Sequence, residues 1–220
     1  GAHMQATSVK TRVSAGRVIM LYGSPGSGKT TQEKRLKRVF GFATLDAGEV
    51  IERIVMNPKN ASNPRICRER EKFTTGKLCT SSWALAMMKE EVIARAKEGK
   101  NLILVGTPRT LPEAFGTEKT QGMIDLLIEL YGKSKIRAVL IDLPEEESVK
   151  RNSLRGRAKL DEPKVIRVRV KEYERRTYPI VEELKRRGIR VARIDGRPAQ
   201  KKVFDEIVSK LGLVKHEVAR

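Results

Sequence analysis

One short stretch constrains this chain more than any other: the apolar run at 17–23, "RVIMLYG", opens directly into "SPGSGKTTQ" and then into a helical pattern. Gly23, four intervening residues, then Gly28, Lys29 and Thr30 have the spacing of a phosphate-cradling loop. Glycines let the backbone curl so that successive N–H groups face phosphate oxygens, and the helix start adds the positive end of its dipole. Lys29 brings a point charge toward β and γ phosphates, and the Thr30 hydroxyl suits a magnesium ion. The loop follows a strand and opens a helix, which is the context such a motif requires.

Further along, short apolar or β-branched runs alternate with longer amphipathic stretches. Strands are predicted at 17–23, 42–46, 101–106, 136–143 and 189–195, and helices at 28–40, 48–56, 81–99, 116–132, 145–156, 163–188 and 198–212. That alternation predicts an α/β fold with a central parallel five-stranded sheet and helices on both faces. Residues 57–65, "NPKNASNPR", read as the clearest loop, within a helical insertion from Gly48 to about Gly99. A length of 220 residues suits one domain, expected over 17–212. Residues 1–16, opening "GAHM", read as a tag remnant and flexible N-terminus, and 213–220 as a tail.

No apolar run approaches the ~20 residues of a membrane span, and no leader pattern is visible, so a cytoplasmic protein without membrane contact is expected. Cys67 and Cys79 are too few for a disulfide scaffold or metal site and read as reduced thiols. His3 and His216 lie near the ends, which leaves no histidine for catalysis, while Trp83, Met87 and Met88 read as core. Forty-six Lys and Arg against 27 Asp and Glu give a net charge of +19, which favours polyanionic partners. The basic residues are spread over helical segments and aromatics make up only 5%, so contact with nucleic acid stands level with a plain solvated basic face.

The ordered motifs resemble a family. "GSPGSGKTTQ" (23–32) is similar to the GxPGSGKGT loop of adenylate kinases and other nucleoside monophosphate kinases. "DAGEVIERI" (46–54) resembles the family's STGDxLR segment, "TTGKLCTSSWALAMMKEEV" (74–92) its GKLV segment, and "ILVGTPRTLPEA" (103–114) its LLDGFPRTxxQA strand and loop. "VKRNSLRGR" (149–157) and "DEPKVIRVRVKEYERRTYPIVEELKRRG" (161–188) resemble the arginine-bearing lid and the helix after it. "RIDGRPAQKKVFDEI" (193–207) resembles the last strand, the turn against the donor base and the closing helix.

The resemblance implies a P-loop NTPase three-layer fold with an acceptor-binding helical insertion at about 47–95 and a short lid at about 153–163, without a lid metal. It implies ATP and Mg2+ as cofactors, a nucleoside monophosphate as substrate, and a monomer. Donor binding would fall to Gly23, Ser24, Pro25, Gly26, Ser27, Gly28, Lys29, Thr30 and Thr31, with Arg151, Arg155 and Arg197, and Thr30 would ligate the metal. Acceptor binding would fall to Ala47, Gly48, Arg53, Lys77, Cys79, Gly106, Arg109 and Glu113. Lys29 would hold the donor phosphates, Arg109 the acceptor phosphate, and Arg157 and Arg169 the phosphoryl group in flight. Arginine suits these roles because its planar fork makes bidentate contacts and keeps its charge.

Four positions depart from the family pattern. Val105 stands where a carboxylate organises magnesium-bound water, and Asp46 or Glu49 at the end of the neighbouring strand is a candidate substitute. Glu52 stands four residues after Gly48 where an arginine is expected, leaving Arg53, Arg65, Arg68 and Arg70 as replacements. Glu113 stands for the glutamine that reads adenine, and Ala47 for a threonine; an ionised glutamate only accepts hydrogen bonds, which suits guanine better than adenine. A cap role for Glu113 after Pro112 is the structural alternative. AMP is the expected acceptor, with GMP or another nucleoside monophosphate as the alternative. A rival of another class is a basic, nucleotide-gated RNA- or ribosome-binding ATPase on the same fold.

Overall fold

The computed structural model describes residues 16–155 and 162–213. The expectations for the first 15 residues, for Arg157 and the lid residues 156–161, and for the tail from 214 lie outside the described residues.

Five strands form one parallel sheet in the order β2-β3-β1-β4-β5: β1 Val18–Gly23, β2 Ala43–Asp46, β3 Leu102–Val105, β4 Ile136–Asp142 and β5 Arg190–Asp195. β1 lies between β3 and β4, so helices cover both of its faces and all six of its residues are buried. Alternate side chains point to opposite faces. Val18, Met20 and Tyr22 join a core with Leu85, Met88 and Leu127, while Ile19 and Leu21 join another with Leu36, Phe40 and Phe204. Each such buried aliphatic or aromatic side chain stabilises the fold by roughly 1.5–3 kcal/mol relative to exposure.

The described helices are α1 Lys29–Phe40, α2 Ala47–Val55, α3 Pro64–Thr74, α4 Ser81–Ala96, α5 Leu111–Phe115, α6 Met123–Tyr131, α7 Glu145–Arg155, α8 Pro163–Glu172, α9 Tyr178–Arg186 and α10 Gln200–Leu211. Three of them, α2 to α4, lie between β2 and β3, where the helical insertion is expected. Among the described residues, no helix is long and apolar enough to cross a membrane.

The elements differ from the sequence expectation in several places, among them a short helix at Leu111–Phe115 that is not predicted. The loop at 57–65 is shorter than expected: Asn57 caps a 3-10 turn, Pro58–Asn60, and Asn63 caps α3 through Oδ1, which accepts from the Ile66 N–H. Asparagine followed by proline starts a helix as readily as it ends one. The expected helix at 116–132 begins only at Met123, because Thr117 and Thr120 exchange backbone hydrogen bonds in a closed turn. Between α8 and α9 the helix widens into a π turn, Tyr173–Thr177, just before Pro179, which has no N–H to continue the α ladder.

Candidate functional site

The parallel sheet brings the C-terminal ends of β1, β2 and β3 to one edge, and the loops leaving them surround a cavity of about 550 Å3. Gly28 is the residue before α1 and holds a left-handed φ of 98°; a β-carbon there would lie 2.7 Å from the Gln200 side chain, so glycine answers both demands. Behind the loop, Ser24 Oγ donates to the Leu143 carbonyl at 3.4 Å and Ser148 Oγ donates to the Pro25 carbonyl. Lys29 Nζ donates to the carbonyls of Gly23 at 2.6 Å and Ser24 at 3.1 Å, which curls the side chain over the loop's own backbone.

In the same cavity, Arg109 is placed by contacts from three elements. Tyr22 Oη donates to the Pro108 carbonyl at 3.0 Å, and Thr177 Oγ1, at the end of the π turn, donates to the Arg109 carbonyl at 2.7 Å. The guanidinium lies against Gly106, whose φ is 74°; a β-carbon there would fall 2.5 Å from Arg109 Nη2. Arg169 of α8 lines the same cavity, and so do Gly76 and Lys77 from the turn between α3 and α4.

The third side is acidic. Asp46 pairs in register with Val105 across β2 and β3, so a carboxylate stands one strand away from where the family pattern has one. Its Oδ1 accepts from the Glu49 N–H and caps α2, and its Oδ2 accepts from Thr30 Oγ1 at 3.2 Å. Glu33 reaches the same corner from α1, and its carboxyl is pushed up to about 8 by burial first and by the neighbouring Asp46 and Glu49 next. Magnesium takes hard oxygen ligands. The Thr30 hydroxyl and these carboxylates fit it, and Glu33 Oε2 is buried with no hydrogen-bond partner.

Many of the expected residues meet here. Gly23, Pro25, Gly26, Gly28, Lys29, Thr30, Thr31, Gly48, Lys77, Gly106, Arg109, Arg151 and Arg169 all line the cavity. Others do not. Ser24, Ser27 and Ala47 are buried behind the wall. Arg197 pairs with Asp195 at 3.1 Å, and its carbonyl accepts from Arg151 Nη2. Arg53 lines a neighbouring pocket with Glu49, Glu52, Met56 and Asn57, and of these only Glu49 and Glu52 also line the main cavity. Arg70 donates to the carbonyls of Val55 and Asn60 and Arg65 pairs with Glu69, so both serve the insertion's own structure. Arg155 closes α7.

Cys79 and Glu113 are buried and do not line the cavity. Burial pushes the Cys79 thiol up to about 12, and Sγ lies 3.7 Å from the Glu69 carbonyl. Thr110 caps α5, accepting from the Glu113 N–H at 3.3 Å, while its own hydroxyl donates to Glu113 Oε2 at 2.7 Å. Sequence reasoning missed Glu33, Tyr173, Thr177 and Gln200. Glu33 follows Lys29 by four residues, one helical turn, and that spacing was the available signal.

A family model for adenylate kinase matches residues 21–189. Adenylate kinase from Thermus thermophilus is 30% identical over 205 residues, covering 91% of this chain and 100% of that protein. Adenylate kinase from Xanthomonas euvesicatoria is 30% identical over 199 residues, covering 88% and 98%. One from Methanothrix thermoacetophila is 28% identical over 220 residues, covering 86% and 95%.

Proposed function

The chain belongs to the adenylate kinase family, and from that premise we propose that it transfers the γ-phosphoryl group of ATP to AMP, giving two molecules of ADP. As a member of that family it is a phosphotransferase acting on nucleoside monophosphates. One observation carries the fuller reading: a single cavity is lined both by the phosphate-cradling loop and by Arg109 and Arg169. A protein that only held ATP would have no use for these further arginines in the same cavity.

Phosphoryl transfer asks for little covalent help, but it needs two anionic phosphates in line with their charge neutralised. The loop N–H groups and the start of α1 hold the donor phosphates, and Lys29 leaves the Gly23 and Ser24 carbonyls to meet them. Arg109, fixed by Tyr22, Thr177 and Gly106, holds the acceptor phosphate without having to be ordered at the moment of reaction. Arg169 stabilises the charge on the group in transit. Thr30 and Asp46 would hold magnesium, which would supply positive charge against the β and γ phosphates.

AMP is favoured over GMP because the carboxylate that would suit guanine, that of Glu113, is engaged by Thr110 and does not line the cavity. The test is an acceptor panel with ATP and magnesium, offering AMP, GMP, CMP, UMP and dTMP in turn, with Arg169→Ala as control. ADP formed from AMP and lost in the control is the expected result. Product from GMP alone would move the acceptor to guanine. No acceptor-dependent product would overturn the kinase reading and favour the RNA-binding alternative.

A further inference from the structure

We propose that Glu33, Asp46 and Glu49 form a divalent-cation site of the protein's own, able to take a hard cation such as Mg2+ or Mn2+ before any nucleotide arrives. One carboxylate oxygen from each residue lies within 4.8 Å of the others, a spacing that one cation can bridge.

Three features set this corner apart from an ordinary acidic surface. Glu33 is only 4% exposed, yet its Oε2 has no hydrogen-bond partner and no Lys or Arg pairs with it among the described residues. A buried carboxylate is costly unless it is paired, hydrogen-bonded or bound to a metal. Two further carboxylates face it, which deepens the deficit of positive charge. The corner is also prepared from several elements. Thr30 Oγ1 holds Asp46 Oδ2, the Glu49 N–H holds Asp46 Oδ1, and α1 fixes Glu33 one turn beyond Lys29.

Val105 lies beside these carboxylates in the sheet. It pairs with Asp46 in the strand register, so the apolar side chain on β3 is matched by an acid on β2. The negative charge at this edge of the sheet has thus moved one strand sideways, and Glu33 reaches it from the helix that the phosphate loop opens. Three carboxylate ligands, with water in the remaining positions, are enough for a hexacoordinate hard cation. The site adjoins the donor-phosphate loop and would offer a pre-bound cation to an incoming nucleotide.

The measurement is a titration of the nucleotide-free protein with Mn2+, following the free-ion signal by electron paramagnetic resonance, with Mg2+ as competitor. One bound Mn2+ per chain is expected, displaced by Mg2+, with affinity falling at least roughly tenfold in both Glu33→Gln and Asp46→Asn. The thermal transition of each variant verifies that it folds, and Glu49→Gln gives a third, more exposed substitution should Glu33→Gln fail to do so. The proposal is overturned if the nucleotide-free protein binds no Mn2+ at millimolar concentration, if Mn2+ binds only when ATP is present, or if binding survives every substitution. The kinase reading needs magnesium only once ATP is bound, so those outcomes leave it intact.

Discussion

Glu113 carries a carboxyl that almost no water reaches: it is 3% exposed, with Thr110 Oγ1 donating to it. Burial pushes this carboxyl above the usual carboxylate range, although the Thr110 hydrogen bond and the Arg109 charge pull the other way. A folded pKa above the unfolded one means that the native chain keeps a proton the unfolded chain gives up. The stability this contributes is fully present below the ordinary value of about 4.3 and is lost as pH rises through the folded value. Glu113→Gln removes the titration while keeping an oxygen to accept from Thr110. Its thermal midpoint is expected to match the parent's near pH 4 and to exceed it at pH 8, and a gap that stays constant with pH would refute the assignment. At this scale the sequence was partly legible. Thr110 and Glu113 have the spacing of a capping box, and the structure adds the burial that makes the carboxyl titrate unusually.

At the scale of elements, the insertion between β2 and β3 depends on one buried acid. Glu69 is 1% exposed; its Oε1 accepts from the Thr80 N–H and its Oε2 from the Thr80 hydroxyl, each at 2.7 Å. These bonds tie α3 to the start of α4 and fix the turn that carries Gly76 and Lys77 to the cavity. Glu69→Ala would strand the Thr80 N–H at a cost of about 1–3 kcal/mol. Because the loss is local, amide exchange should accelerate across 64–80 and stay unchanged in β1 and β4. Uniform acceleration over the whole chain would show instead that the insertion and the sheet open together. Nothing in the spacing of "CREREKFT" distinguishes Glu69 from Glu71, because only the folded position of Thr80 gives one of them partners.

Across the whole molecule, both cores meet on the sheet, and β3 is buried along its full length. Leu104 is 0% exposed beside Met20 and Leu45. Leu104→Ala removes buried surface and leaves a cavity that a sheet clamped by helices on both faces closes poorly, so a loss of about 2–5 kcal/mol is expected. Denaturant unfolding should move to a lower midpoint as one transition with an unchanged slope. A second transition would show that the helical insertion melts apart from the sheet.

What the sequence determined by itself was whatever depends on neighbours along the chain. The short apolar or β-branched runs placed all five strands to within a residue of where they lie, and the spacing of Gly23, Gly28, Lys29 and Thr30 marked the phosphate loop at the end of β1. What only the tertiary structure decided was which distant residues share a space. Asp46 stands beside Val105 because β2 pairs with β3, Arg109 is clamped by Tyr22 and Thr177 from opposite ends of the chain, and Glu33 becomes part of an acidic corner only once α1 packs beside the end of β2. Local propensity is written in the backbone and its nearest side chains, whereas charge compensation and burial depend on contacts that exist only after the chain has closed on itself.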